Sequence, residues 1–95
     1  MIATTLREKR EEILRIAAKY GASNVRVFGS VARGEEREDS DLDLLVEFEP
    51  GRSLMDHAGL VLELEALLGR PVEIGTPKGL RARYRERILN EAVSL

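Results

Sequence analysis

Two aspartates separated by a single residue are the first feature of this sequence that could do chemistry. Asp41 and Asp43 open the run DLDLLVEF, which predicts a β-strand over 41–48. Alternate residues of a strand project from the same face, so the two carboxylates would lie together, with Cα atoms about 6.5 Å apart. Like charges at that separation repel, and a divalent cation held by both would remove the repulsion. Oxygen ligands favour Mg²⁺ or Mn²⁺, and the spacing therefore predicts a metal site. The alternative is a solvent-facing start of a strand with incidental acids.

A glycine–serine pair after an earlier strand adds a second candidate site. Residues 24–28, NVRVF, alternate in the manner of a short strand and are followed by Gly29 and Ser30. A glycine lets backbone amides approach a ligand closely, and the N–H groups that begin a helix bind anions. If the two strands are antiparallel, this turn lies beside Asp41 and Asp43, and the combination predicts a nucleoside triphosphate bound through Mg²⁺. On its own, the glycine–serine pair would indicate only an ordinary turn.

The elements that would position these residues follow from the apolar periodicity. We expect an α+β fold, a small mixed sheet of about three strands with helices packed against it, in the order α-β-α-β-α-β-α. The helix between the second and third strands makes those two parallel, and the short loop between the first two allows an antiparallel pair. The predicted strands are 24–28, 41–48 and 71–75, and the predicted helices are 4–20, a short turn at 30–33, 53–68 and 79–92.

Composition narrows the classes of protein that fit. The 95 residues predict one domain, 1–95, and the absence of cysteine excludes disulfides and thiolate metal sites. No signal-peptide core and no run of membrane-spanning length is visible, so we expect a cytoplasmic protein without a membrane partner. The formal net charge of −2 argues against general nucleic-acid binding. Charge is nevertheless uneven, with a net −6 over 33–49 and +3 over 76–95.

Several single residues have two interpretations each. We expect His57 to be a partly buried, hydrogen-bonded residue rather than a catalytic one. Arg33 and Arg37 either contact phosphate or belong to a solvated loop. Tyr84 lies on the apolar stripe of the last helix, where packing is the default and a partner surface is the alternative. Gly59, inside a predicted helix, indicates close packing because glycine costs ~1 kcal/mol there relative to alanine.

The motifs together resemble a known signature. Gly29-Ser30, then Gly34, then Ser40-Asp41-Leu42-Asp43 on a strand resemble the signature of the DNA polymerase β-like nucleotidyltransferase superfamily. The small size, the continuation SDLDLLVEFEPG and the ending TPKGL…RYRERILNEAV resemble its minimal nucleotidyltransferase (MNT) family over nearly the whole chain. The aspartate pair alone would be a weak signal, whereas its combination with GSxxxG is specific. The resemblance implies a polymerase β palm-like fold.

The resemblance also implies an activity and a role for each motif residue. Members transfer a nucleoside monophosphate from a nucleoside triphosphate, here ATP, to a hydroxyl group with two metal ions, Mg²⁺ or alternatively Mn²⁺. Gly29 and Ser30 would hold the triphosphate, and Asp41 and Asp43 would ligate the metals. Ser40 would support the strand or hydrogen-bond Asp41, and it is also a candidate nucleotide-binding residue.

A third metal-binding carboxylate, most often an aspartate, is the one point at which the sequence departs from the pattern. The matching residue is Glu73, which lies between Val72 and Ile74 and should project from the opposite face of its strand. Glutamate can still ligate, but it is one methylene longer, and a misplacement of about 1 Å can cost ~100-fold in rate. The alternative is an exposed acid on an edge strand.

The resemblance finally implies a partner. Minimal nucleotidyltransferases pair with HEPN-domain proteins as toxin–antitoxin systems, and the antitoxin can add AMP to a tyrosine of its RNase toxin. We therefore expect a hetero-oligomer in which this chain is the antitoxin. The alternative is an antitoxin that neutralises its partner by stoichiometric binding with little or no catalysis. A stand-alone antibiotic or tRNA nucleotidyltransferase fits less well, because such enzymes need a second, substrate-binding domain.

Overall fold

A computed structural model describes residues 4–35 and 41–95 of the chain. Helices and strands alternate along most of it, as the periodicity predicts. In chain order the elements are α1 (Thr4–Glu8), α2 (Arg10–Lys19), β1 (Ala22–Phe28), α3 (Gly29–Ala32), β2 (Leu42–Phe48), α4 (Leu54–Leu68), β3 (Val72–Gly75), a 3₁₀ turn (Pro77–Gly79), α5 (Ala82–Glu91) and β4 (Val93–Ser94).

The strands form one mixed sheet in the order β3-β2-β1-β4. β1 is antiparallel to both β2 and β4, whereas β2 and β3 are parallel and joined by α4. The predicted α+β class and both predicted strand pairings are confirmed. The sheet has four strands where about three were predicted, because the two-residue β4 is too short to show a period in the sequence.

The core lies on one face of the sheet. Leu42, Leu44 and Val46 of β2 are almost fully buried against residues of α2 and α4. Leu45 projects from the opposite face and is fully buried too, with Leu80 close by across Gly75. Burial on both faces explains why β2 is a nearly continuous apolar run rather than an alternating one.

The helix α4 is apolar on more than its core face. Ser53 and Asp56 form the predicted capping box at its start, and Gly69 ends it in a left-handed conformation with φ 67°. Leu60 and Leu64 face the core, while three large apolar side chains are exposed to solvent: Leu54 (84 %), Met55 (81 %) and Leu62 (66 %).

Gly59 marks the close approach of α4 to the end of α2. A Cβ built on Gly59 would overlap the ring of Tyr20, so the close packing predicted from this mid-helix glycine is confirmed. The Tyr20 hydroxyl donates a hydrogen bond to Glu63 of α4, and Lys19 pairs with the same carboxylate at 3.0 Å. These contacts fix α2 against α4.

Two predicted helices are wrong in extent. The first is two helices, because the chain turns at Lys9, whose side chain donates to the Leu67 carbonyl at 2.9 Å. The last starts at Ala82 rather than Gly79, because Pro77 begins a 3₁₀ turn that the Thr76 side chain caps through the Gly79 amide. Among the helices that the structure describes, no helix has the length and apolar character needed to cross a membrane.

Candidate active site

The turn after β1 lies beside the acidic end of β2. Phe28, the last residue of β1, pairs with Asp43 across the antiparallel ladder. Gly29 follows with a left-handed φ of 74°, and a Cβ added to it would overlap the Asp43 carboxylate. Only glycine tolerates both the conformation and the contact. The expected proximity of the glycine–serine turn and the aspartate is therefore confirmed.

Glu73 lies beside Asp43 on the neighbouring strand, and we call these two acids the carboxylate row. Glu73 pairs with Asp43 in the parallel β2–β3 ladder, so both carboxylates project from the same face. Its neighbours Val72 and Ile74 are buried while Glu73 itself is exposed, as its alternation predicts. The two carboxyl groups lie close enough for Glu73 to raise the pKa of Asp43. β3 is an edge strand, which leaves this side of the row open to solvent.

The protonation of Asp43 reflects its crowded position. Burial raises the pKa of its carboxyl group from 3.8 to about 6, and the hydrogen bond with Glu73 and the negative charges of Glu73 and Asp41 add to the rise. The Arg33 guanidinium opposes it. A protonated Asp43 can donate to Glu73 where two carboxylates would repel. Carboxyl groups crowded in this way are a mark of functional sites.

The donor chemistry of this row fits a hard divalent cation. All donors are carboxylate oxygens, which Mg²⁺ prefers, and a bound cation would offset the repulsion between Asp43 and Glu73. Asp41 immediately precedes β2 and is exposed. Within residues 4–35 and 41–95, no three acidic or histidine side chains are arranged around one point as an ion would require. The structure brings Asp43 and Glu73 together, and the roles of Asp41, Asp43 and Glu73 as ligands stay predictions.

The predicted phosphate cradle is the start of α3. Gly29 is the first residue of this short helix and Ser30 the second, directly after the extended residue Phe28. Ser40 and Arg37 lie outside the described residues, so their predicted roles stay predictions. Arg33, at the end of α3, is bound to Glu35 and Glu91.

Glu91 is a neighbour of the cradle that the sequence did not indicate. Its carboxylate accepts a hydrogen bond from the Gly29 amide at 2.7 Å. The two residues lie 62 positions apart, so no local spacing connects them, and in the sequence Glu91 is only one of the acids in a basic tail. Only the pairing of β4 with β1, which the structure shows, indicates that Glu91 lies near Gly29.

A separate cavity of about 410 Å³ lies at the other end of β2. Its lining is mixed in charge and consists of Glu47, Phe48, Thr76, Pro77, Lys78 and Arg85.

His57 stacks on the Phe48 ring with centroids 5.6 Å apart and is partly buried. Phe48 is the last residue of β2 and Asp43 the second, so His57 packs far from the carboxylate row. This confirms the predicted partial burial.

Residues 6–95 match the family model of the nucleotidyltransferase domain. The chain belongs to the nucleotidyltransferase family. It is 42 % identical over 90 residues to a Methanocaldococcus jannaschii protein provisionally named protein adenylyltransferase MJ0435, with 95 % of this chain and 97 % of the relative covered. It is 41 % identical over 75 residues to the protein adenylyltransferase MntA of Thermococcus cleftensis, with 79 % and 76 % covered.

Solved structures agree with this assignment. A solved structure provisionally described as a minimal nucleotidyltransferase superposes on this chain with a TM-score of 0.88 at 60 % identity. The match covers 100 % of this chain and 97 % of the other. The crystal structure of a toxin–antitoxin with AMP-PNP superposes with a TM-score of 0.74 at 15 % identity, covering 88 % and 69 %. The second likeness shows the fold alone. The resemblance to minimal nucleotidyltransferases is confirmed.

Proposed function

We propose that this nucleotidyltransferase transfers AMP from ATP to a hydroxyl group of a partner protein in a Mg²⁺-dependent reaction. The observation that carries the proposal is the meeting of the Gly29 turn with the Asp43–Glu73 pair at one end of the sheet. An anion cradle and a set of oxygen ligands side by side suit a metal-bound triphosphate. The relatives named protein adenylyltransferases support the choice of a protein acceptor.

Each site residue has a defined part in this proposal. Gly29 lets the turn approach the triphosphate closely, and the Ser30 hydroxyl and the backbone N–H groups of Ser30 and Val31 bind and orient it. Asp41, Asp43 and Glu73 would hold the metal ions, and Ser40 would support the strand or the nucleotide. Bound Mg²⁺ would neutralise the charge that develops on the phosphates. The acceptor oxygen bonds to the α-phosphorus, the bond from that phosphorus to the leaving pyrophosphate breaks, and the hydroxyl proton passes to solvent.

The proposed acceptor is a tyrosine of a HEPN-domain RNase toxin, with which the chain forms a hetero-oligomer as the antitoxin of a cytoplasmic pair. The support for this finer assignment is the resemblance to the minimal nucleotidyltransferases, together with the protein-directed names of its relatives. A tyrosine hydroxyl is small enough to approach the open, edge-strand side of the carboxylate row, where Glu73 is exposed.

The deciding experiment compares labels in two positions of ATP. The chain is purified with the protein encoded beside it in the genome and incubated with Mg²⁺ and ATP carrying ³²P at the α- or the γ-phosphate. Label from the α-position alone should reach the partner, because AMP and not phosphate is transferred. The double variant Asp41→Asn/Asp43→Asn should abolish labelling, whereas Glu47→Gln, an acid farther along β2, should not. Labelling by the double variant, or from the γ-position, would refute the proposal.

One observation favours a second candidate function, neutralisation by binding alone. α4 exposes Leu54, Met55 and Leu62, and exposed apolar groups of this kind occur at protein interaction surfaces. The two functions differ in their response to Asp41→Asn/Asp43→Asn. A toxin that stays silenced by the double variant, with no label transferred by the wild type, would support binding alone.

A further inference from the structure

We propose that Glu91, the last residue of α5, is a positioning residue that holds the Gly29–Ser30 turn in the conformation that accepts the triphosphate. The inference rests on the proposed function, because it assigns Glu91 a part in ATP binding. One oxygen of its carboxylate accepts from the Gly29 amide at 2.7 Å and from the Arg33 guanidinium at 2.9 Å. The Glu91 side chain is only 20 % exposed, so solvent competes weakly for this carboxylate.

The pairing of β4 with β1 explains why Glu91 meets this particular glycine. Val93 of β4 lies opposite Val27 of β1. When the same antiparallel register is continued for two residues, it sets Glu91 opposite Gly29. Glu91 still belongs to α5, so its backbone is not extended and its carbonyl does not accept a ladder hydrogen bond from Gly29. A side-chain oxygen therefore accepts the Gly29 N–H in place of the backbone acceptor that a longer β4 would supply.

The bond matters because nothing in Gly29 itself fixes its conformation. Glycine populates left-handed and right-handed regions about equally, yet the φ of 74° is needed for the turn to pass against Asp43 without a clash. A charged acceptor on the Gly29 amide selects one orientation of the peptide. It thereby orients the amides of Ser30 and Val31, the next two residues of α3. Glu91 thus acts on the nucleotide through Gly29, without touching it.

The test compares acceptors of different length at position 91. We would measure the Kd of Mg²⁺-bound AMP-PNP for the full chain by calorimetry, and amide exchange at Gly29 by NMR. Glu91→Gln keeps an oxygen at the same reach, and its Kd should stay within about twofold of the wild type. Glu91→Asp keeps the charge but is one methylene shorter, and loss of the bond should weaken binding about tenfold and speed exchange at Gly29.

Controls separate positioning from charge and from general stability. Glu86→Gln and Glu86→Asp change an exposed acid of the same helix and should leave the Kd unchanged. Glu91→Asn is as short as aspartate but neutral, and it should match Glu91→Asp if reach is what counts. Thermal unfolding checks that each variant is folded. If both short variants failed to fold, Glu91 would be a residue of the fold alone and the inference would be overturned.

The remaining outcomes are equally decisive. Tighter binding by Glu91→Gln would mean that the carboxylate competes with phosphate, which overturns the positioning role. Suppose that the wild type binds the nucleotide and that Asp41→Asn/Asp43→Asn abolishes binding. An unchanged Kd for Glu91→Asp would then overturn this inference alone and leave the proposed function standing. A wild-type protein that binds no nucleotide would overturn the proposed function, and the role of Glu91 with it.

Discussion

At the scale of single residues, Asp43 is the side chain whose surroundings shape its chemistry most. Burial, the hydrogen bond with Glu73 and the charges of Glu73 and Asp41 raise its pKa from 3.8 to about 6. The folded protein therefore holds this proton more tightly than the unfolded chain does. Between about pH 4 and pH 6 the folded state binds more protons, so the stability of the metal-free protein falls as the pH rises through that window.

Asp43→Asn should consequently stabilise the metal-free protein at high pH. A pKa shift of this size corresponds to ~3 kcal/mol, and solvent screening of the half-exposed carboxylate reduces our expectation to about 1 kcal/mol at about pH 8. At about pH 3, below both the 3.8 of the unfolded chain and the pKa of about 6 in the folded state, the carboxyl is mostly protonated in both states, and the variant should match the wild type. Urea denaturation in the presence of a chelator measures both values. An equal gain at the two pH values would show that the carboxylate charge is not the cause.

At the scale of elements, the sequence predicts best where one segment carries its own pattern. β2 is a continuous apolar run, and α4 has both its capping box and its terminal glycine in the sequence. β4 and the contact of Glu91 with Gly29 could not be predicted, because two residues show no period and the partner lies 62 positions away. The pairing of Asp43 with Glu73 could be predicted only in part. Alternation in the sequence predicts the face from which each side chain projects, but only the structure shows that the two residues lie opposite each other in the β2–β3 ladder.

The packing of α4 on α2 makes a prediction of its own at Gly59. Alanine in a helix is favoured over glycine by ~1 kcal/mol, but its Cβ would overlap the Tyr20 ring, and overpacking costs about 1–3 kcal/mol. Gly59→Ala should therefore lower the free energy of unfolding by about 1 kcal/mol, as measured by urea denaturation. In a Tyr20→Ala background the same change should become stabilising. A gain in the wild-type background would mean that the ring moves aside freely.

At the scale of the whole molecule, a charge pair between Arg33 and Glu91 joins the two oppositely charged regions. The acidic stretch 33–49 contributes one of its two arginines, Arg33, and the basic stretch 76–95 contributes one of its two acids, Glu91. Each residue thus carries the charge that is rare in its own region. The pair joins the end of α3 to the end of α5 beside the carboxylate row, so the nucleotide site and the C-terminal segment share one electrostatic contact. We therefore expect a ligand at this site to stabilise the whole domain against unfolding.

Binding of Mg²⁺ and ATP should raise the unfolding temperature of the entire chain in a single transition, because a domain of this size unfolds cooperatively. A ligand at about 100 times its Kd stabilises the folded state by about 2.7 kcal/mol, which for ~100 residues corresponds to roughly 10 °C or more. Differential scanning fluorimetry with Mg²⁺ plus AMP-PNP measures the shift. A chelator should abolish it, and so should Asp41→Asn/Asp43→Asn, because the carboxylates hold the metal that carries the triphosphate. An equal shift in the presence of chelator would place the nucleotide on the Gly29 turn without a metal.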